Sequence, residues 1–119
     1  MTHYFLTGAS AGIGAALATR LCEDGHKVSA VARRDDRLAT MATKLPCFWS
    51  AGCDVTMANQ LAESVAAAEN AQGGIDVAIL NAGVYQPQDG SSIDPAIYAN
   101  HMDVNYMGVV NALAAIVPR

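Results

Sequence analysis

The sequence predicts an α/β fold built on a parallel β-sheet, and two observations support this prediction. Four short apolar runs, at residues 3–7, 27–32, 47–53 and 75–81, alternate with segments of helical periodicity. The last run, which begins IDVAIL, has the apolar composition that a buried strand of a parallel sheet requires. Parallel strands need crossover helices between them, so the pattern predicts a Rossmann-type, doubly wound sheet with a ligand site at the carboxyl ends of its strands.

The first helix is predicted to follow the first strand. Ile13, Leu17 and Leu21 recur at i, i+4 and i+8, and this spacing marks one apolar helix face. Gly25 is the expected end of that helix, because glycine accepts the left-handed backbone of a helix terminus.

Two further helices are indicated by their ends. One is expected to begin with Thr56 as its N-cap and to end at Gly73-Gly74. The last helix is expected to begin at Asp94-Pro95, a capping residue followed by proline at the first helical position. The apolar face of the helix after Thr56 consists of Leu61, Val65 and Ala68.

Composition favours a single globular domain over residues 1–119. The chain has 119 residues, of which 52% are hydrophobic, and this is enough to form a core. A formal net charge of -4 without a basic stripe argues against a nucleic-acid partner. The first strand begins within three residues of Met1 and no run of 18 apolar residues occurs, so we expect a cytoplasmic protein without a signal peptide or membrane span.

Cysteine and histidine usage gives no indication of a metal site. Cys22, Cys47 and Cys53 are odd in number and lack C-x-x-C spacing, so they are expected to be reduced thiols in the core. The three histidines lack partners at ligand spacing and are expected to have structural or surface roles: His3, His26 and His101.

The glycine-rich segment at residues 7–14, TGASAGIG, is the strongest functional signal in the chain. It lies between the first predicted strand and the first predicted helix, which is the construction that binds a dinucleotide pyrophosphate. Gly8, Gly12 and Gly14 would provide the tight turn, the close approach of phosphate to the backbone, and close helix packing. The N–H groups and the positive dipole end of the helix would then face the anion.

Two roles are considered for each of two other residues in this segment. Ser10 either caps the helix or binds the phosphate or ribose of the cofactor. Ile13 follows Gly12, where its backbone N–H could meet the pyrophosphate while its side chain joins the core.

The chain resembles the short-chain dehydrogenases/reductases, whose cofactor fingerprint is T-G-x-x-x-G-x-G. Further matches occur in the family's order: Asp54-Val55 after the third apolar run, the sequence NAG at 81–83, and Asn105 within DVN. The resemblance extends from about residue 3 to the last residue. It implies a Rossmann-type fold and a nicotinamide dinucleotide cofactor.

The end of the second strand is where the resemblance implies cofactor selection. NAD-preferring relatives usually carry aspartate at the position of Ala32, and Arg33 could instead bind the 2′-phosphate of NADP through its forked donors, together with Arg34. We therefore expect NADP. NAD remains the alternative, through Asp35 or Asp36 on a ribose hydroxyl, and the arginines could also be solvated charges at the start of a surface helix.

The resemblance implies roles for the residues at the next two strand ends. Asp54 would accept from the adenine amino group, and Val55 would cover the ring; the alternative for Asp54 is a strand-ending aspartate that caps a turn. Asn81, Ala82 and Gly83 would line the adenosine ribose and the path from pyrophosphate to nicotinamide, where small side chains are required.

Asn105 is the one candidate for a catalytic role. In the family this helix asparagine is tied to a water that connects the catalytic lysine to solvent, and the apolar neighbours of Asn105 suggest a buried polar partner. Bonding to neighbouring backbone is the alternative. The family's Tyr-x-x-x-Lys pair is absent from the sequence, because Gly8, Asp89, Met102 and Val110 stand four residues after the tyrosines.

The resemblance therefore implies that residues 1–119 are an incomplete Rossmann domain, truncated after the fourth strand and the following helix. This would be the cofactor-binding half of an oxidoreductase that transfers hydride between NADP(H) and a small carbonyl or alcohol substrate. By itself this 119-residue chain is expected to be inactive, and a non-catalytic nucleotide-binding or interaction module is the alternative. We also expect a homo-oligomer formed through the last helix or through strand 75–81, which would be an exposed apolar edge.

Overall fold

A four-stranded parallel sheet forms the centre of the computed structural model, which describes residues 1–33 and 35–118. The strands are β1 (His3–Thr7), β2 (Lys27–Ala32), β3 (Phe48–Gly52) and β4 (Val77–Leu80). Their order across the sheet is β3-β2-β1-β4, with β3 and β4 as the outer strands. The predicted Rossmann-type architecture is confirmed. The third and fourth strands are shorter than the apolar runs that predicted them, by one residue or more at each end.

Helices connect the strands and cover both faces of the sheet. The chain continues from β4 through a loop into three consecutive helical segments, of which the middle one is a single π-helical turn. The helical segments are α1 (Gly12–Glu23), α2 (Asp35–Ala42), α3 (Ala58–Gln72), α4 (Pro95–Met102), the π turn (Asp103–Met107) and α5 (Gly108–Ile116).

Alternate residues of the strands supply two separate apolar layers, as the period of two in a strand requires. Phe5 and Val31 face one layer, which includes the buried α3 residues and Ala112 of α5. Leu6 and Val28 face the other, which includes residues of α1 and α2. The central strands are thus buried on both faces, in agreement with their apolar composition.

The predicted apolar face of α1 is correct in part: Leu17 and Leu21 pack partly buried against the core, but the most buried face lies one residue further along the helix. Gly14, Ala18 and Cys22 are the buried residues of this helix, whereas Ile13 is 79% exposed. Both sets have the same i, i+4, i+8 spacing, so the two faces differ by about 100° of rotation. The helix turns its small residues toward the sheet, and the Ile13 side chain does not join the core.

Other expectations are partly corrected. Met57, not Thr56, is the N-cap of α3, while the helix ends at Gly73 as predicted. Asp94 caps α4 by accepting from Ala96 N at 3.0 Å, as predicted. All three cysteines are free thiols, but only two are buried, and Cys47 is exposed.

The amino ends of the strands are closed by a network of polar side chains around His3, which is buried. Its Nδ1 lies 2.9 Å from the carbonyl oxygen of Gly73, and its Nε2 lies 2.7 Å from Ser29 Oγ. Gln72 Nε2 also donates to Ser29 Oγ at 3.0 Å, and the His3 backbone N–H donates to Asp76 Oδ2 at 2.9 Å. His3 is therefore structural, as expected.

Candidate functional site

A cleft of about 270 Å³ opens at the other end of the sheet, where the four strands terminate. This is the edge at which ligands bind in open parallel sheets of this kind. It brings together residues that are up to 96 positions apart in the sequence. The residues that line it are Gly8, Ser10, Ala32, Arg33, Cys53, Asp54, Val55, Ala82, Gly83, Val84 and Val104.

The glycine turn between β1 and α1 forms one side of this cleft. Gly8 has φ +70°, and a Cβ at this position would lie 2.8 Å from Ala82 Cα, so only glycine fits between the two strand ends. A Cβ on Gly14 would collide with the carbonyl oxygen of Gly8. Gly12 has φ +59°, and among the described residues no atom lies within 4 Å of a Cβ built there. The turn is therefore packed at Gly8 and Gly14 and open at Gly12.

The amino terminus of α1 lies at this open side of the turn and has no capping side chain. Ala11 is the N-cap, and among the described residues no side chain accepts from the first turn; this turn also contains no acidic residue. The prediction that Ser10 caps the helix is therefore wrong, and Ser10 lines the cleft instead. Uncapped N–H groups and the positive end of a helix dipole favour an anion at this place.

Arg33 lies at the mouth of the cleft, directly after β2. Its side chain is exposed, and Ala32 before it is 6% exposed, so the strand ends in a small residue followed by a cation. The positive charge of Arg33 acts on the Asp54 carboxylate. Arg34, the other predicted cofactor residue at this strand end, lies outside the described residues.

Asp54 closes a tight turn after β3. Its Oδ1 accepts from the backbone N–H of Thr56 at 3.0 Å and from the Thr56 hydroxyl at 2.8 Å. These two hydrogen bonds, and to a smaller extent the charge of Arg33, hold the pKa of the Asp54 carboxyl below its usual value. Asp54 therefore caps a turn at the end of β3, which was the alternative prediction for this residue. It is compatible with a ligand contact, because Asp54 also lines the cleft.

Val55 has a buried side chain and belongs to the wall shared with the last helices. Its carbonyl oxygen accepts from Asn111 Nδ2 at 2.9 Å. A Cβ on Gly108 would lie 2.7 Å from Val55 Cγ2, so the start of α5 approaches this wall closely.

The residues after β4 connect the glycine turn to the rest of the cleft. Asn81 Nδ2 donates to the Gly8 carbonyl at 3.1 Å, and Ala82 N donates to the Thr7 hydroxyl at 3.1 Å. A Cβ at Gly83 would lie 3.3 Å from Asn105 Oδ1. Three of the predicted residues thus come together here, and two of them position the strand ends relative to each other.

Asn105 lies in the π turn, and its side chain holds the segment after β4. Its Oδ1 accepts from Val84 N at 2.7 Å, and its Nδ2 donates to Val84 O at 2.8 Å. Single π turns often occur at functional sites. The expectation of a buried side chain is wrong, since Asn105 is exposed, and its contact is the backbone bonding that was the alternative.

Some residues of the site were not identified from the sequence. Cys53 and Val104 each precede a predicted residue, so the strand-end pattern could have included them. Thr7 was seen only as part of a motif, and its hydroxyl contact with Ala82 depends on strands 75 residues apart. His101 was expected to have a structural or surface role, and the contact of its Nε2, which accepts from Gln86 N at 2.8 Å, was not predicted.

Metal and membrane signals are absent from the part of the chain that the structure describes. Within residues 1–33 and 35–118, no three histidine, cysteine or acidic residues are grouped as metal ligands. No helix in the same residues is long and apolar enough to cross a membrane.

Comparisons with known proteins agree with this geometry. The family described as short chain dehydrogenase matches residues 2–119. Oxidoreductase BOA17 of Botryotinia fuckeliana is 32% identical over 117 residues, which are 97% of this chain and 43% of that protein. The chain therefore spans less than half the length of this relative.

Solved structures give the same result. The alcohol dehydrogenase of the archaeon Thermococcus sibiricus, complexed with 5-hydroxy-NADP, matches with a TM-score of 0.93 and 29% identity over 99% of this chain and 52% of that one. The 3-ketoacyl-(acyl-carrier-protein) reductase of Brucella melitensis, complexed with NADH, matches with a TM-score of 0.92 and 25% identity over 98% and 49%. Sequence, sheet order and glycine turn thus agree, and the chain belongs to the short-chain dehydrogenase family.

Proposed function

We propose that this chain is the dinucleotide-binding half of an NADP-dependent oxidoreductase, which transfers hydride between NADP(H) and a carbonyl or alcohol substrate. The observation that carries the proposal is the glycine turn, which is packed at Gly8 and Gly14 but open at Gly12 beside the uncapped start of α1. Such a site can accept a pyrophosphate against backbone N–H groups. Solved relatives complexed with 5-hydroxy-NADP or NADH support the cofactor class.

The remaining cleft residues fit the other parts of a dinucleotide. Arg33 offers forked donors at the mouth, and Asp54 offers carboxylate oxygens beside the apolar wall of Val55. Asn81, Ala82 and Gly83 keep the path between the strand ends narrow and lined by small groups. A bound nicotinamide would supply or accept the hydride, and the residues of this chain would bind and orient it.

Asn105 acts in this proposal as a positioning residue. It holds Val84 through two hydrogen bonds and so fixes the wall of the cleft after β4. The sequence contains no Tyr-x-x-x-Lys pair, so we expect this chain to bind the dinucleotide without turnover.

Arg33 is the basis for proposing NADP over NAD. A charge-assisted contact with a 2′-phosphate contributes about 1.5–3 kcal/mol, which is roughly a 10- to 150-fold preference. Arg33→Ala should therefore weaken NADPH binding by that factor and leave NADH binding nearly unchanged. Fluorescence titration of each nucleotide measures both effects, with circular dichroism to verify folding.

Arg37→Ala is the matched control, because it removes the same charge from an exposed position of α2 outside the cleft lining. It should change NADPH affinity by less than about twofold, as expected for a screened surface charge. Equal losses in the two variants, or an unchanged NADPH preference in Arg33→Ala, would overturn the assignment of NADP.

We also propose self-association through the last helical segments or the β4 edge. Exposed apolar side chains recur along these segments at Met102, Tyr106, Leu113 and Val117, the last of them 72% exposed, and Val77 adds to the edge strand. Sedimentation velocity should detect dimers or larger species, which Leu113→Lys should dissociate. A wild-type monomer at high concentration would contradict this proposal.

A further inference from the structure

The segment that leaves β4 is held against the last helices at two points. Asn105 bonds both the N–H and the carbonyl of Val84, and His101 Nε2 accepts from Gln86 N at 2.8 Å. His101 and Asn105 are four residues apart, which is about one helical turn. Their hydrogen bonds therefore hold residues 84 and 86 against the same stretch of helix.

Tyr85 lies between the two held residues, directly after Val84. Its ring stacks on His101, with centroids 6.4 Å apart and planes at 23°. The side chain is 85% exposed, whereas Val84 before it lines the cleft. His101 therefore contributes twice, as an acceptor for the backbone and as a surface for the ring.

We propose that His101 is a positioning residue of the cleft, which fixes the 84–86 segment so that Val84 lines the cleft and Tyr85 stacks on the imidazole ring. The bond goes to a backbone N–H, so it holds the segment whatever side chain occupies position 86. The importance of the 84–86 segment for a substrate rests on the proposed function, whereas the hydrogen bond between His101 and Gln86 does not depend on it.

The ring nitrogens of His101 provide a direct test. A backbone N–H can only donate, so Nε2 must be the unprotonated nitrogen and the proton must lie on Nδ1. Free neutral histidine favours the opposite tautomer. Two-bond ¹H–¹⁵N correlation spectra of the ¹⁵N-labelled chain distinguish the two forms, and His101 should show the Nδ1–H pattern.

His26 is an internal control for that spectrum. Its Nδ1 faces the backbone N–H of Thr2 at 3.3 Å, so it should carry its proton on Nε2. Opposite tautomers in His26 and His101 would support the proposal. An Nε2–H pattern in His101 would overturn it, because that nitrogen would then have no lone pair for Gln86.

Two variants of His101 distinguish its role as a hydrogen-bond acceptor from its role as a stacking ring. His101→Phe keeps a ring beside Tyr85 but removes the acceptor, so amide exchange at Gln86 should become about five- to tenfold faster. His101→Gln places an oxygen near the former Nε2 position and should restore most of the protection. His26→Phe, a matched change at the far end of the sheet, should leave Gln86 unaffected.

The outcomes also distinguish this inference from the proposed function. If the wild-type chain fails to bind NADPH while His101 shows the Nδ1–H form and the rescue by glutamine, the proposed function fails and the positioning role stands. If Gln86 exchanges equally fast in wild type and His101→Phe, the positioning role fails, whatever the NADPH result.

Discussion

The two ends of the sheet use polar groups in opposite ways. At the amino end, His3, Ser29 and Gln72 direct their side chains at one another and at nearby backbone, and His3 and Ser29 are buried. At the carboxyl end, an open glycine turn and the exposed Arg33 border a cleft. The polar groups at one end are thus bonded to one another, whereas those at the other end border an open cleft.

This difference shows that buried polarity alone does not mark a functional site. The His3 cluster contains a histidine, a serine and a carboxylate in contact, which are residue types common in catalysis. Each observed contact nevertheless joins β1 to β2, β2 to the end of α3, or β1 to the loop between α3 and β4, and the cluster lies at the end of the sheet away from the cleft. Substitutions at the amino end should therefore change stability without changing nucleotide affinity.

The largest effect is expected within the glycine turn itself. A Cβ on Gly14 would meet the Gly8 carbonyl and lie 2.7 Å from Asn81 Nδ2, so Gly14→Ala must displace backbone. We expect the free energy of unfolding to fall by about 3 kcal/mol, the upper part of the range for overpacking. Urea denaturation followed by circular dichroism measures this loss.

Two other glycines provide graded controls for that measurement. Gly12→Ala should cost only about 1 kcal/mol, since its φ of +59° is strained for alanine but the space around it is open. The added methyl should weaken NADPH binding all the same. Gly74→Ala, where the described residues leave open space and φ is not left-handed, should be nearly neutral. A Gly14→Ala variant as stable as Gly74→Ala would refute the close packing of this turn.

A smaller effect is expected at the amino end. Ser29→Ala leaves the buried His3 Nε2 without its hydroxyl partner, and an unsatisfied buried polar atom costs about 1–3 kcal/mol. We expect a loss of about 2 kcal/mol in urea denaturation, with NADPH affinity within twofold of wild type. Ser50→Ala, at a partly exposed position of β3, is the matched control and should change little. A large loss of NADPH affinity in Ser29→Ala would contradict the proposed difference in role between the amino and carboxyl ends of the sheet.

The architecture could be predicted from the sequence because its signals are local. Each strand is a short apolar run, and the glycine turn and the Asp94-Pro95 start of α4 are contiguous motifs. The carboxyl ends of parallel strands must then share one edge of the sheet. Most of the predicted residues lie on that edge for this reason.

The errors have physical causes that the sequence pattern does not contain. In α1, counting large apolar residues selected Ile13, Leu17 and Leu21, but the buried face consists of Gly14 and two other small residues. The collision that a Cβ on Gly14 would make with Gly8 shows how closely the helix approaches the strand ends. Small side chains therefore occupy the most buried face of this helix, while Leu17 and Leu21 are only partly buried against the same core.

The polar contacts were harder to predict because they join distant residues. His3 meets Ser29 across 26 positions, and Asn105 meets Val84 across 21. Such pairs depend on the exact packing of helices on the sheet. By contrast, the turn between Asp54 and Thr56 spans two residues, and a capping aspartate was therefore foreseen as an alternative.

The smallest expected effect concerns that turn and the charge at the mouth of the cleft. The lowered pKa of Asp54 is caused mainly by the Thr56 hydrogen bonds and less by Arg33. A carboxyl whose pKa is lower in the folded state stabilises the fold above its unfolded pKa of about 3.9, and this contribution disappears as the pH falls through the folded value. Asp54→Asn should therefore destabilise the chain at pH 7 and make little difference at the lowest pH where it remains folded.

Carboxyl ¹³C titration by NMR can rank the two causes. Thr56→Val removes the hydroxyl donor but keeps the backbone N–H bond, so the pKa of Asp54 should rise partway toward its usual value. Arg33→Ala should raise it less, because that guanidinium is exposed and screened by solvent. A larger rise in Arg33→Ala would mean that charge at the cleft mouth, rather than the turn, governs this carboxylate. The carboxyl end would then be electrostatically coupled across β2 and β3, and removal of Arg33 would alter the proposed adenine contact of Asp54 as well as the proposed phosphate contact.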